Sequence, residues 1–275
     1  MNQKISYLLC STVHDPQFRL KSFLESTLPM INNLFSKKIL CCTPSSGDRY
    51  QNFLVREGFE VITCNSTKNI DTYKLALKTT LNYIDNPSKQ NIFFIDFDRL
   101  IHWIHSFPNE ITEILQKEIN VDYLLIGRTP RAFDTHPSTQ KDTENIVNEI
   151  GSKILGFSDI KDLISVCSIF TKELAEKILK ADNTTATGFY GTWPILLWQL
   201  APRKQYVEME GLEWETPDRF TREIKKRGYN SWLKQYQSTD EWEKRVRYLH
   251  EFLLELSKIT EFKFLNDLTF LRDLK

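Results

Sequence analysis

The stretch Asn91-Ile92-Phe93-Phe94-Ile95, which breaks off into Asp96-Phe97-Asp98-Arg99, limits this chain's possible folds more than any other feature. A run that stays apolar without polar alternation marks a strand covered on both faces. Ionised carboxylates are costly to bury without a partner. Two of them directly after such a strand therefore need a counter-charge.

What precedes the run tells how the strand is covered. Ile5–Cys10, Lys38–Thr43 and Phe59–Cys64 read as strands. Helical patterns separate them over Phe18–Phe35 (broken or kinked at Pro29), Gln51–Glu57 and Ile70–Ile84. In the last of these, Ile70, Tyr73, Leu77, Leu81 and Ile84 recur at steps of three and four. Strands alternating with helices predict an α/β chain with a mainly parallel twisted sheet flanked by helices.

The second half reads as a helix over Pro108–Ile119, a strand over Tyr123–Gly127 and a polar loop from Arg128 to Thr143. A helix over Glu144–Leu155, a strand over Val166–Phe170 and a helix from Thr171 through Lys180 follow. A buried helix is expected over Pro194–Leu200, and another from Thr216 to Gly228. Ser238-Thr239-Asp240-Glu241 is a capping box, and behind it Trp242, Val246, Leu249, Leu253 and Leu256 form one apolar stripe. The expected division is a core over residues 1–215 and a C-terminal helical extension over 216–275, with Tyr229–Lys275 a helical tail packed on the core. A chain of 275 residues suits this plan.

Charge and cysteine content exclude some classes. Lys plus Arg and Asp plus Glu each number 36, so no overall basic field draws nucleic acid or an anionic membrane. The five cysteines are odd in number, with no Cys-x-x-Cys pair, which points to buried reduced thiols. No apolar stretch approaches the roughly 18 residues of a membrane helix, and the first residues lack the pattern of a signal peptide. The expectation is a cytoplasmic protein with no integral membrane segment and no nucleic-acid partner.

In extended chain, residues i and i+2 point to one side. Asp96 and Asp98 are therefore expected to face one hard cation together, such as Mn²⁺ or Mg²⁺, which prefers oxygen ligands and keeps waters or phosphates in its shell. Ligands of open α/β sheets gather outside the carboxyl ends of the strands, where this pair lies. The plainer alternative is a pair of loop aspartates, one capping a helix and the other bridging to Arg99.

Three strand-helix units followed by an apolar strand ending in Asp-x-Asp resemble the GT-A glycosyltransferases, a Rossmann-related fold, over roughly residues 5 to 215. The resemblance implies a glycosyltransferase that moves a sugar from a nucleotide-diphosphate donor to a small-molecule or glycan acceptor. It gives Asp96 the sugar or ribose side and Asp98 the metal. It makes Ser11, Thr12 and Asp15 of the first-strand loop, together with Ser45, the nucleotide pocket. The chain departs from the family's wording: Pro-x-Tyr-Asn is absent from the first loop, Ser45 and Ser46 replace an acidic residue, and no Glu-Asp base pair occurs in its usual form.

Later polar clusters supply further candidates. Arg128 has the fork geometry for a diphosphate, and Arg131 for an anionic acceptor; surface ion pairs are the alternative. His136 is a candidate metal ligand or acceptor contact, and Asp159 a contact to acceptor hydroxyls. Trp193, in Thr187-Gly188-Phe189-Tyr190-Gly191-Thr192-Trp193-Pro194, is placed to stack on a sugar or to open a buried helix. Glu213 and Glu215 alternate around Trp214, and either is a candidate general base.

Two other functions share these residues. A haloacid-dehalogenase-type phosphatase would use Asp96 as nucleophile and Asp98 as acid/base. A protein of the same fold could also bind a nucleotide-sugar without turning it over. A nucleotidyltransferase would need a Gly-rich basic loop after the first strand, and His14-Asp15-Pro16-Gln17 offers none.

Overall fold

The computed structural model describes residues 5–66, 68–116, 120–181 and 187–259. The expected helix over Pro108–Ile119 and tail over Tyr229–Lys275 thus lie partly outside the described residues. Seven strands form one sheet: β1 (Ser6–Val13), β2 (Phe35–Cys42), β3 (Glu60–Thr63), β4 (Gln90–Asp96), β5 (Tyr123–Arg128), β6 (Cys167–Thr171) and β7 (Lys204–Met209). Their order is β3-β2-β1-β4-β6-β5-β7. All neighbours run parallel except β6, which is antiparallel to both β4 and β5. The sheet is mainly parallel, as expected.

Among the described residues, twelve α-helices accompany it. The first five are α1 (Lys21–Leu34), α2 (Asp48–Arg56), α3 (Asn69–Leu81), α4 (Phe97–Ser106) and α5 (Pro108–Gln116). Then come α6 (Pro130–Asp134), α7 (Ser138–Leu155), α8 (Lys172–Ala181) and α9 (Phe189–Leu200), and finally α10 (Thr221–Arg227), α11 (Tyr229–Leu233) and α12 (Thr239–Ile259). Two apolar layers lie on opposite faces of the sheet. Leu9, Phe93, Ile95 and Trp103 belong to one, Leu8, Phe94, Phe170 and Trp193 to the other. β4 feeds both layers, which is why its sequence does not alternate. A fully buried Phe or Ile of this kind contributes ~1.5–3 kcal/mol.

Local chemistry accounts for the differences from the sequence reading. Arg128–Thr143 is not a loop: Thr129 caps α6 by accepting from the Ala132 N–H at 3.1 Å, and α7 begins at Ser138. Gln140, Thr143 and Glu144 are buried as polar residues, so α7 begins without an apolar period to announce it. The helix α4 hides its start because the acidic pair spans its N-cap and first turn. The edge strand β7 hides because only Tyr206, Val207 and Met209 are partly covered.

Ligand geometry follows from the strand order. The chain steps from β1 to β2 and β3 on one side, then returns to place β4 on the other side of β1. That reversal leaves a crevice at the carboxyl ends of β1 and β4, where open α/β sheets bind ligands. Thr12 and Asp96 are register partners at that crevice. Among the described residues, no helix is long and apolar enough to cross a membrane.

Candidate functional site

Asp96 ends β4 and stands at the N-terminal boundary of α4. Its Oδ1 accepts from the Thr12 hydroxyl at 3.3 Å and from the Tyr73 hydroxyl at 2.5 Å. Tyr190 lies 3.2 Å behind Tyr73, oxygen to oxygen. Burial, and then the neighbouring Asp98 carboxylate, push the Asp96 carboxyl up to about 6, against the opposing influence of Arg99 and of the Tyr73 bond.

Asp98 does not continue an extended strand, as the alternation argument assumed. It lies in the first turn of α4, where the helix N-terminus favours a carboxylate. The two carboxylates still share one site, because the chain turns at Asp96. Asp98 Oδ1 accepts from the Arg99 N–H at 2.9 Å, and Oδ2 accepts from Arg219 Nη2 at 2.5 Å.

The counter-charges come from two arginines. Arg99 is 7% exposed; its Nη1 donates to the Ser165 carbonyl, and its Nη2 lies 3.6 Å from Glu215. Arg99 Nε, Arg219 Nε and Glu215 Oε2 are buried without a hydrogen-bond partner among the described residues. Such atoms cost free energy unless a ligand or water engages them.

Whether a hard cation suits these residues can be judged from the donor set. Asp96 accepts from hydroxyls and Asp98 from the Arg219 guanidinium, while Arg99 acts on the Asp96 carboxylate electrostatically. Among the described residues, no group of three His, Cys, Asp or Glu closes a cage. The pair fits an open site of the kind Mn²⁺ or Mg²⁺ uses, with the rest of the shell left to water and phosphate.

Beside Asp96 opens a cavity of about 200 Å³, lined by Asp96, Arg99, Glu144, Tyr190, Arg245 and Tyr248 among others. Its walls come from α7, α9 and α12 and from the segment before β6. Val166 in that segment has φ +54°, a left-handed conformation that a β-branched residue rarely adopts. Gly191 allows α12 to approach α9, since a Cβ there would lie 2.0 Å from the Phe252 ring.

On the nucleotide side the expected residues divide. Thr12 reaches Asp96, and exposed Ser45 lies 3.3 Å from His14 Nδ1, at the rim of the β1 and β2 ends. Ser11 is buried and donates to the Ile95 carbonyl at 2.5 Å, tying β1 to β4. Asp15 is buried and accepts from the N–H groups of Arg19 and Leu20 at 3.0 and 2.9 Å, holding the approach to α1. Between these two sides Phe18 stacks on Tyr50, with ring centroids 4.2 Å apart.

Several second-half candidates are placed elsewhere. Arg128 has a fully covered side chain; its Nε and Nη2 donate to Asp162 at 2.7 and 2.8 Å, and Nη2 also to Glu144 at 2.7 Å. It is spent inside the protein and has no free edge for a diphosphate. His136 Nε2 lies 3.2 Å from Arg128 Nη1 and its Nδ1 3.2 Å from the Ala132 carbonyl oxygen. Burial, and then Arg128, hold its pKa well below the usual histidine range, and it does not join Asp96 and Asp98 around a metal.

Trp193 is 3% exposed and packs between Phe94 and Phe189, so it has no face for a sugar. Asp159 is exposed and lies 3.6 Å from Lys161. Arg131 is half exposed and pairs with Glu210 and with Glu213, the latter at 2.6 Å. Glu213 also lies 3.2 Å from His102 Nε2, whose Nδ1 is 2.7 Å from Asp218. Burial opposes the charge on His102, but the Asp218 bond and the carboxylates of Asp218, Glu215 and Glu213 raise its pKa. Glu215, by contrast, belongs with Arg99 and the acidic pair. Sequence reasoning missed Tyr73, Arg219 and Arg245. The first was assigned to a helix's apolar stripe, and nothing local marks the other two.

No family model matches the chain, and no curated protein matches it. Solved structures similar to it include glucosyl-3-phosphoglycerate synthase from Mycobacterium tuberculosis in complex with uridine diphosphate, at 13% identity and a TM-score of 0.43, over 75% of this chain and 70% of that one. Another is mannosyl-3-phosphoglycerate synthase from Rubrobacter xylanophilus, at 11% identity and a TM-score of 0.48, over 82% and 75%. A further structure of the mycobacterial synthase contains Mn²⁺, UDP-glucose and phosphoglyceric acid; the similarity there is 14% identity and a TM-score of 0.39, over 63% and 58%. These are similarities of fold.

Proposed function

We propose that this chain is a glycosyltransferase of the GT-A type, taking a nucleoside-diphosphate sugar at the crevice between β1 and β4. The observation that carries the reading is Asp96, in register with Thr12 at the point where strand order reverses, beside a second carboxylate and a cavity. In this reading Thr12 and Tyr73 orient the Asp96 carboxylate toward the sugar or ribose. Asp96 and Asp98 would hold Mn²⁺ or Mg²⁺, which supplies charge neutralisation on the departing diphosphate. Thr12 and Ser45 edge the nucleotide's place at the ends of β1 and β2.

The cavity beside Asp96 takes the acceptor. It is small, and Arg99 and Arg245 lean it toward an anionic group while Glu144 and Tyr190 offer hydrogen bonds to hydroxyls. Catalysis by such a site is positioning plus electrostatic stabilisation of the leaving group. Of the two glutamates, Glu215 is the better base, because it faces Arg99 beside the acidic pair at the longer distance of 3.6 Å, whereas Glu213 is held at 2.6 Å by Arg131 and at 3.2 Å by His102.

Calorimetric titration with UDP, GDP and ADP, each with and without Mn²⁺, tests the reading. Saturable, Mn²⁺-dependent binding of one nucleotide is expected, lost in Asp98→Ala with the fold intact by circular dichroism. Slow hydrolysis of the matching nucleotide-sugar, read as nucleoside diphosphate release, separates an enzyme from a binding protein. No binding by the wild type, or metal-dependent affinity unchanged in Asp98→Ala, refutes the assignment.

A further inference from the structure

We infer that Arg219 is an exchangeable counter-ion of this site: it holds Asp98 in the ligand-free protein and passes to the donor's diphosphate when a divalent cation takes the carboxylate. The inference rests on the proposed reading of the crevice as a nucleotide-sugar site.

Three observations point to it. Arg219 Nη2 occupies Asp98 Oδ2, the carboxylate oxygen left free by the Arg99 N–H on Oδ1. A cation arriving at Asp98 therefore competes with Arg219 directly. Second, the guanidinium is under-used. It carries five donors, yet Asp98 is its hydrogen-bond acceptor among the described residues, and Nε is buried with none. A fork with spare donors beside a crevice suits phosphate oxygens, which arginine takes two at a time.

Third, the segment carrying Arg219 is fastened over the first-strand loop. Arg19 Nη1 donates to the Arg219 carbonyl at 3.4 Å and pairs with Glu223 at 2.7 Å, while its guanidinium lies 4.6 Å over the Phe220 ring. Arg19 is in turn held through its backbone N–H on Asp15. The backbone at 219 is thus fixed to the loop that edges the nucleotide pocket. Its side chain, at 22% exposure, keeps one bond to exchange.

The signature is a pair of opposite effects. Removing the guanidinium unmasks Asp98, so the nucleotide-free protein binds Mn²⁺ more tightly. The same change removes a phosphate ligand, so UDP binds less tightly at saturating Mn²⁺. The experiment compares wild type, Arg219→Gln and Arg219→Lys, reading free Mn²⁺ by its electron paramagnetic resonance signal and UDP by calorimetry. Arg219→Gln is expected to bind Mn²⁺ several-fold more tightly and UDP about tenfold more weakly, the loss appropriate to one charge-assisted bond.

If both affinities fall in a folded variant, Arg219 is a structural residue and the inference is wrong. Unchanged UDP affinity, or unchanged Mn²⁺ affinity, also overturns it. If Arg219→Gln does not fold, Arg219→Lys decides: a compact ammonium lacks the fork, so UDP affinity must drop, and an unaltered value overturns the inference. A wild type that binds no nucleoside diphosphate overturns the proposed function itself, and this inference with it.

Discussion

Thr12 and Asp96 are partners across β1 and β4, and the Thr12 hydroxyl donates to Asp96 Oδ1 over 3.3 Å. Together with the Tyr73 hydroxyl at 2.5 Å, it gives this carboxylate two neutral donors on one oxygen. Neutral donors orient an ionised carboxylate without cancelling its charge.

The raised Asp96 pKa makes stability depend on pH. Its carboxyl titrates near 3.8 when unconstrained and about 6 in the fold, so the folded state favours the proton. The sign follows: the contribution is fully present below about 4 and is lost as pH rises through about 6. Urea unfolding of the metal-free protein should show stability falling by up to about 3 kcal/mol across that window. Asp96→Asn should flatten the slope, and saturating Mn²⁺ should reverse it. A wild-type profile that is flat from pH 4 to 7 contradicts the assignment.

Tyr73→Phe removes the shorter of the two donors. Stability should drop by about 1 kcal/mol, and the pH midpoint of the transition above should move upward, because the Tyr73 bond favours the ionised form. The midpoint is the diagnostic readout, since loss of packing alone leaves it in place.

Arg128→Met should be among the most damaging substitutions. It strands Asp162 inside the protein without its cation and leaves Glu144 to the longer pairing with Arg245 at 3.9 Å. Removing one partner of a buried pair costs roughly 3–5 kcal/mol. Chemical denaturation measures it, and a loss under 1 kcal/mol would mean that the network is solvated.

Trp193 and Tyr190 should behave oppositely. Trp193→Phe leaves a void in the aromatic layer and should cost roughly 1–3 kcal/mol of stability with little change in KM. Tyr190→Phe should leave the melting temperature nearly unchanged and lower kcat/KM for the acceptor, because Tyr190 lines the cavity and backs Tyr73.

Gly191→Ala should destabilise by roughly 1–3 kcal/mol, as overpacking does. The methyl would collide with the Phe252 ring at 2.0 Å, displacing α12 from the cavity wall. The double variant Gly191→Ala, Phe252→Leu should recover part of the loss. Additive losses in a double-mutant cycle would place the strain elsewhere.

The sheet was readable because its evidence is local. Phe93, Phe94 and Ile95 announce a doubly covered strand on their own, and Asp96 and Asp98 announce an uncompensated charge. What neutralises that charge was not readable. Arg219 follows Asp98 by more than a hundred positions, and no spacing rule connects them. Arg128 misled for a related reason: the same fork that grips phosphate also grips Asp162 and Glu144, and sequence does not say which acid folds toward it. Trp193 misled because an aromatic close after two glycines suggests an open platform, whereas Gly191 makes room for Phe252 instead.

One consequence of Arg219 and α12 concerns the order in which the protein is made. The sheet is complete once β7 has emerged at Met209, yet Asp98 then still lacks Arg219 and the cavity its α12 wall. A chain ending there would keep Arg99 beside the acidic pair but leave Asp98 Oδ2 without its guanidinium. Completion of the acidic edge and of the cavity wall therefore depends on residues that follow the sheet in sequence.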